Sequence, residues 1–179
     1  MLSKKLINGK AYFSVWEASA MQEPLMQEGR NRMYKAKILA KYIVSKCTEE
    51  GHPVTNLQLQ MILYFIQINF MKIFNITAFD EDIEAWRLGP AIPEVYNEYA
   101  YCAGTPIYDT CNEINNAISG TEKEVIDTII DMLRDKFTWD LAKACTEQGT
   151  PYRQVYYGTK IRIPKKCLYE YAKNLTEKK

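Results

Sequence analysis

The residues whose types most suggest chemistry are three carboxylates in alternate positions, Asp80, Asp82 and Glu84. Carboxylate oxygens are the ligands that Ca²⁺ and Mg²⁺ prefer, so this triplet could be drawn as a divalent-cation site. The glycine and the distant glutamate of an EF-hand loop are missing, however, and Glu84 lies in a segment whose alternating pattern predicts an extended strand. We therefore predict no metal site and interpret residues 80–82 as a solvated turn.

No other set of side chains in the sequence suggests a reaction centre. The single histidine, His52, lies in a predicted turn, so multi-histidine metal sites and histidine-based triads are excluded. The G-x-S-x-G, H-E-x-x-H, Walker and glycine-rich dinucleotide motifs are absent from the sequence. Five cysteines without C-x-x-C spacing indicate reduced thiols in a cytosolic protein. The sequence thus predicts no catalytic residue, no cofactor and no enzymatic activity.

Composition predicts an ordinary globular protein of one domain, or one domain with an appendage. The chain has 179 residues, of which 47% are hydrophobic and 25% charged, with a net charge of +1. The charges are unevenly distributed: residues 80–99 contain six acidic residues and one basic residue, whereas residues 153–179 contain eight basic and two acidic residues. The basic segment makes duplex DNA an alternative partner, although the net charge does not favour nucleic acid.

The first two predicted elements are a helix over residues 33–50 and a second helix with strong N-terminal capping signals. Thr55 and Gln58 form a T-x-x-Q capping box, and Val54 and Leu59 occupy the positions of a hydrophobic staple. From residue 56 to about 74 this helix is apolar nearly all round, which is typical of a helix in the middle of a domain. It is therefore predicted to be the central helix.

Polar side chains within this central segment carry two further expectations. Residues 53–71 contain no charge, but six polar side chains argue against a membrane span. Buried glutamines need hydrogen-bond partners, so Gln60 and Gln67 are expected to bond neighbouring loops, with the corner over residues 86–93 as the favoured partner.

The remaining pattern predicts further helices and two short strands. Residues 83–86 and 159–163 alternate like strands that could pair, Gly89-Pro90 predicts a break, and Pro93 begins a helix. Further helices are predicted after a second capping box at Thr121 and Glu124, with an apolar stripe reaching Phe137, after a cap at Thr138, and after Pro164. The predicted fold is mainly α, a compact multi-helix domain around a buried central helix with a small two- or three-stranded β element.

Two linked motifs identify a family resemblance. The segment V-T-N-L-Q-L-Q-M-I-L-Y over residues 54–64 is followed by D-E-D-I-E-A-W-R-L-G-P-A-I-P-E-V-Y over residues 80–96. Together they resemble the Panacea domain of SocA-like antitoxins and phage-associated proteins, over about residues 34–175. The matching positions, interpreted as the framework of the fold, are Thr55, Asn56, Leu59, Gln60, Tyr64, Glu84, Trp86, Gly89, Pro90, Pro93 and Tyr96.

The resemblance implies an antitoxin-like protein-binding module that neutralises a toxin or effector enzyme by direct binding. Two alternatives stay open: a phage-encoded, anti-CRISPR-type inhibitor of a host defence enzyme, and a DNA-binding regulator that uses the basic C-terminal segment. The expected location is the cytoplasm of a bacterium or of a phage-infected cell. The candidate partner surface comprises Asp80, Glu81, Asp82, Tyr12 and Trp16.

The sequence departs from the family pattern at two places. Thr146-Glu147 stands where the family has a Thr-His pair, so a role that needs that histidine does not carry over, and Pro151-Tyr152 stands where the family has Pro-Trp. Residues 1–32 form an N-terminal extension that could contain a strand. We predict that the Panacea-like domain spans 33–175 and is followed by a basic tail, 176–179.

Overall fold

The computed structural model describes residues 33–111, 114 and 117–177. The helices of this part are α1 (Ala36–Glu49), α2 (Asn56–Ile73), α3 (Pro93–Glu98), α4 (Gly120–Leu133), α5 (Thr138–Thr146), α6 (Pro151–Val155) and α7 (Lys165–Glu177). A short 3₁₀ turn, Ala100–Cys102, follows α3. The strands are β1 (Glu84–Trp86), β2 (Gly89–Ala91) and β3 (Ile161–Arg162). The predicted fold class, mainly helical with a small sheet, is confirmed.

Helix α2 is the central element of the fold. Its first turn has the predicted capping box: the Thr55 hydroxyl accepts from the backbone N–H of Gln58, and the Gln58 side chain accepts from the backbone N–H of Thr55. The staple residues Val54 and Leu59 are both fully buried. Helices α1, α3, α4, α5 and α7 all pack against α2, which explains why apolar residues surround it.

Two tyrosines of the first helical segment connect it to α4. The hydroxyl of Tyr42 donates to the Asp127 carboxylate over 2.5 Å, and the hydroxyl of Tyr34 bonds Glu122. The pKa of Tyr42 is raised to about 12, first because the ring is buried and second because of the hydrogen bond to Asp127. Charge-assisted hydrogen bonds thus join α4 to α1 through Tyr42 and to the segment before α1 through Tyr34.

The sheet is antiparallel with the strand order β2–β1–β3. Strand β1 pairs β2 with Trp86 opposite Gly89, and pairs β3 with Ala85 opposite Ile161. The predicted pairing of the segments around 83–86 and 159–163 is confirmed. No helix runs through Gly89-Pro90, as predicted, but these residues also begin β2 after a two-residue turn, which the sequence pattern did not predict.

Three local predictions in the second half of the chain were wrong. Helix α4 begins at Gly120 after Ser119, which makes no side-chain cap, so Thr121 lies inside the first turn and forms no capping box. The apolar stripe of α4 ends at Leu133, and Phe137 is exposed. Thr138 does not cap α5 but is its first residue. The predicted N-terminal extension, 1–32, and the residues 178–179 of the tail lie outside the described residues.

Candidate functional site

The hairpin formed by β1, β2 and their two-residue turn is held from beneath by buried groups. Ala85, Pro90 and Ala91 are buried, and the hydroxyl of Tyr152 on α6 donates to the carbonyl oxygen of Trp86 over 2.7 Å. Gly89 has a φ of +140°, and a Cβ there would lie 3.0 Å from Cε of Met61 on α2. The backbone conformation favours glycine at this position, and any larger residue would also have to displace the end of the Met61 side chain by a few tenths of an ångström.

A relay of buried amides attaches α3 and the residue that precedes it to α2. The backbone N–H of Ile92 donates to Oε1 of Gln60 over 2.8 Å, and Nε2 of Gln60 donates to Oδ1 of Asn56 over 2.9 Å. Nδ2 of Asn56 then donates to the carbonyl oxygen of Tyr96 on α3 over 3.0 Å. The prediction that Gln60 bonds the corner is confirmed. Gln67 bonds a different loop, through the backbone of Ala78 and Phe79.

The outer side of the hairpin carries exposed and half-buried side chains. The indole of Trp86 lies 4.9 Å from the ring of Tyr96 at an interplanar angle of 64°, and Nζ of Lys160 lies 3.7 Å from the indole centroid. The indole N–H donates to Glu84 over 2.7 Å. These contacts place the half-buried ring of Trp86 at the surface of the domain. Trp86, Arg87, Leu88, Tyr96 and Lys160 are called the hairpin surface below.

The acidic turn at residues 80–82 forms ion pairs with the basic C-terminal segment. Nζ of Lys165 contacts both the carboxylate and the carbonyl oxygen of Asp80, and Nε of Arg162 lies 2.9 Å from Asp82. Lys165 lowers the pKa of Asp80, chiefly through the hydrogen bond. Two of the carboxylates offered as a partner surface are thus engaged within the domain. Whether this turn also contacts a partner stays a prediction.

The ion pairs of the acidic turn occupy carboxylates that a metal ion would need and basic side chains that duplex DNA would need. Within the described ranges, no group of three or more histidine, cysteine or acidic side chains could hold a metal ion. Four of the basic residues from 153 to 179 are engaged by neighbours: Lys160 by the indole, and Arg162, Lys165 and Lys166 by carboxylates. The continuous cationic face that duplex DNA requires is correspondingly reduced.

The buried tyrosine and cysteine side chains have environments that suppress reactivity. Burial raises the pKa of Tyr64 well above its usual value, with Cys145 and Tyr171 nearby, and burial also raises the pKa of the Cys145 thiol. The raised pKa values keep both groups neutral. Because the phenolate and the thiolate are the nucleophilic forms, neither group is a good nucleophile here. His52 lies at the surface, where Nδ1 is 2.7 Å from a carboxylate oxygen of Asp135.

The structure distributes the framework residues between the core and the hairpin. Leu59 and Tyr64 are buried on α2, Thr55 caps that helix, and Pro93 begins α3. Tyr12 and Trp16 lie outside the described residues. The functional assignments of these positions stay predictions.

Two residues of the site were not assigned a role from sequence. Tyr152 was noted only because it replaces a family tryptophan, and Lys160 only as a member of the basic segment. Position 152 is aromatic in the family pattern, which is a signal that could have marked Tyr152. No sequence signal marks Lys160, because its contact with Trp86 joins residues 74 positions apart.

A comparison of the sequence with models of known protein families identifies the family of this chain. The model of the family described as antitoxin SocA-like, Panacea domain matches residues 59–151, which is more than half of the chain. The chain belongs to this family. The match is narrower than the resemblance over residues 34–175, but it contains most of α2, the whole hairpin and α3 to α5. Neither the curated proteins nor the solved structures include a match to this Panacea-domain chain.

The central helix of this Panacea domain was the one segment that raised the question of a membrane span. Across the described ranges, no helix combines the length and the apolar character needed to cross a bilayer. The polar side chains of α2 are instead used inside the domain, where Gln60 and Gln67 hold loops in place.

Proposed function

We propose that this chain is an antitoxin that neutralises a toxic enzyme by binding it directly, without catalysis of its own. Membership of the antitoxin SocA-like family is the observation that carries the proposal. The geometry supports a binding role because the buried groups of the domain are used for structure, and a half-buried tryptophan and an exposed leucine lie on a hairpin that buried groups support. Binding residues are commonly presented in this way, on segments that a rigid scaffold positions.

The environments of the reactive groups support neutralisation by occlusion. The raised pKa of the Cys145 thiol and of the Tyr64 phenol disfavours nucleophilic chemistry at both positions. A toxin would be silenced when this domain covers its active site or holds it in an inactive conformation. Membership of an antitoxin family supports a toxin as the target class in preference to a host defence enzyme or duplex DNA.

The test begins with the open reading frames that lie beside this gene. Each frame that inhibits growth when expressed alone is co-expressed with this chain, and we expect at least one such frame to be tolerated. Failure to restore growth with every growth-inhibiting neighbour would reject the antitoxin function. The rescued toxin and this chain are then purified and mixed at increasing ratios.

The titration separates binding from catalysis. A binding antitoxin abolishes toxin activity linearly up to a fixed molar ratio, and the two proteins co-elute as one complex. An enzymatic antitoxin would inactivate a large molar excess of toxin, and that outcome would contradict the proposed mechanism.

A further inference from the structure

We propose that the hairpin surface is the face that holds the toxin, and that it takes a toxin segment in which an apolar side chain is flanked by carboxylates. This inference rests on the proposed antitoxin function and adds to it the location of the interface and the chemistry of the partner. It assigns the docking role to Trp86, Arg87, Leu88, Tyr96 and Lys160, of which only Trp86 and Tyr96 belong to the family motif.

The first observation is that the backbone beneath this surface is fixed. The carbonyl oxygen of Trp86 accepts from Tyr152, Ile92 is held by the buried Gln60, and the carbonyl oxygen of Tyr96 accepts from Asn56. A preorganised surface loses little conformational freedom on binding. More of the free energy of its contacts therefore appears as affinity. The hairpin and α3 therefore present their side chains in one arrangement.

The second observation is the kind of side chain that this fixed backbone exposes. Leu88 at the hairpin turn is 43% exposed and Tyr96 on α3 is 37% exposed, and the half-buried ring of Trp86, at the end of β1, packs against Tyr96. Tryptophan, tyrosine and arginine dominate the residues that carry binding energy in protein interfaces. A half-buried aromatic pair next to an exposed leucine offers an apolar centre for a partner side chain.

The third observation is charge, which decides the chemistry of the partner. Lys160 lies over the indole of Trp86, the exposed Arg87 follows Trp86 in the hairpin turn, and among the described residues neither cation forms an ion pair with a carboxylate. The nearest acidic side chain of the hairpin, Glu84, accepts the indole N–H of Trp86. The two cations therefore complement carboxylates on the partner, which would accelerate association and fix its register.

The same geometry favours an acidic protein segment over nucleic acid. Nζ of Lys160 already covers the indole of Trp86, so a nucleobase stacked on that side would have to displace it. The neighbouring cations Arg162 and Lys165 are bound to Asp82 and Asp80. A phosphate backbone would meet isolated charges here and not the continuous groove that it requires.

Charge reversal tests the partner's chemistry with a matched control. The double variant Arg87→Glu, Lys160→Glu is compared with Lys143→Glu, Lys173→Glu, which reverses two exposed lysines on α5 and α7 and produces the same net charge. Using the toxin identified by growth rescue, we expect the hairpin variant to raise Kd at least about tenfold, more at low than at high salt, and the control to stay within about twofold.

Truncation of an aromatic ring tests the apolar centre. Tyr96→Ala removes the ring that contacts Trp86 but keeps the backbone carbonyl that Asn56 binds. Tyr101→Ala is the control, because Tyr101 is 78% exposed and has no ring contact among the described residues. We expect at least about a tenfold increase in Kd for the first variant and no more than about a twofold increase for the second. Circular dichroism and melting temperature confirm that each variant is folded.

The outcomes separate this inference from the proposed function. Growth rescue by wild type together with unchanged Kd for both hairpin variants would overturn the interface and leave the antitoxin function intact. Without a neutralised toxin, the surface is tested with two synthetic amphipathic helical peptides, one with glutamates between its leucines and one with lysines. The probe is Trp86 fluorescence in a Trp16→Phe, Trp139→Phe background.

In the peptide test we expect the glutamate peptide to change the fluorescence of Trp86 and the lysine peptide to have no effect. Equal or stronger binding of the lysine peptide would overturn the inference. Duplex DNA is tested in parallel, and binding that the hairpin double variant weakens while the control double variant does not would assign the surface to nucleic acid and also overturn the inference.

Discussion

Replacing Gln60 with leucine is the sharpest test of how the domain holds its hairpin and α3 in place. The substitution removes the acceptor of the Ile92 N–H and the donor to Asn56 Oδ1, and all of these groups lie in the buried relay. A buried polar group left without a partner costs about 1–3 kcal/mol, and two are created here. The extra apolar surface of leucine offsets part of this cost, so we expect a loss of about 2–4 kcal/mol in the free energy of unfolding.

Urea denaturation followed by circular dichroism measures the change. With a denaturant dependence of about 2 kcal/mol per molar urea, the midpoint should fall by roughly 1–2 M. Gln148→Leu is the control, because this exposed glutamine follows α5, and we expect it to stay within about 0.5 kcal/mol of wild type. Hydrogen exchange at the Ile92 amide should accelerate in the Gln60 variant. A Gln60→Leu protein with wild-type stability and an equally protected Ile92 amide would refute the relay.

Three further predictions follow from contacts of tyrosine side chains. Tyr152→Phe removes the hydrogen bond to the Trp86 carbonyl and should cost about 0.5–1.5 kcal/mol by urea denaturation, with a shift in Trp86 fluorescence; unchanged stability and fluorescence would contradict this role. The buried hydroxyl of Tyr64 lies near the backbone of Tyr152 but makes no hydrogen bond of good geometry among the described residues, so Tyr64→Phe should be as stable as wild type or more stable, and a large loss would show that the bond to Tyr152 forms. The pKa of Tyr42 is raised to about 12, so the folded state retains this proton longer than the unfolded state, and stability should fall as the pH rises from about 10 to 12. Tyr42→Phe should make that fall shallower, and an equally steep fall in the variant would reject the assignment.

The central helix shows which features could be predicted from sequence. The capping box at Thr55 and Gln58 and the buried character of α2 follow from residue type and spacing within one continuous segment, and both were confirmed. The predicted bond from Gln60 to the corner was also confirmed, because a buried glutamine without a charged neighbour must find a backbone partner. Local rules succeed where the interacting groups are close in sequence or where burial leaves few choices.

The same local rules failed where packing elsewhere decided the outcome. Thr121 and Glu124 have the spacing of a capping box, yet α4 begins one residue earlier, at Gly120. Gly89-Pro90 has the composition of a break, yet the pair forms a strand, because β1 supplies hydrogen bonds and Met61 lies directly beneath Gly89. A three-residue strand has too little sequence to show its periodicity, so only its neighbours reveal it.

The sequence by itself determined the family, the helical fold and the central place of α2, because those features depend on local motifs, hydrophobic periodicity and composition. The tertiary structure alone decided which charges and rings are free to meet a partner. It pairs Asp80 and Asp82 with Lys165 and Arg162, residues about 80 positions away in the chain, and it places Lys160 on the ring of Trp86. Coulombic and aromatic contacts act through distances in space, so a list of charges along the chain cannot show which of them remain unpaired.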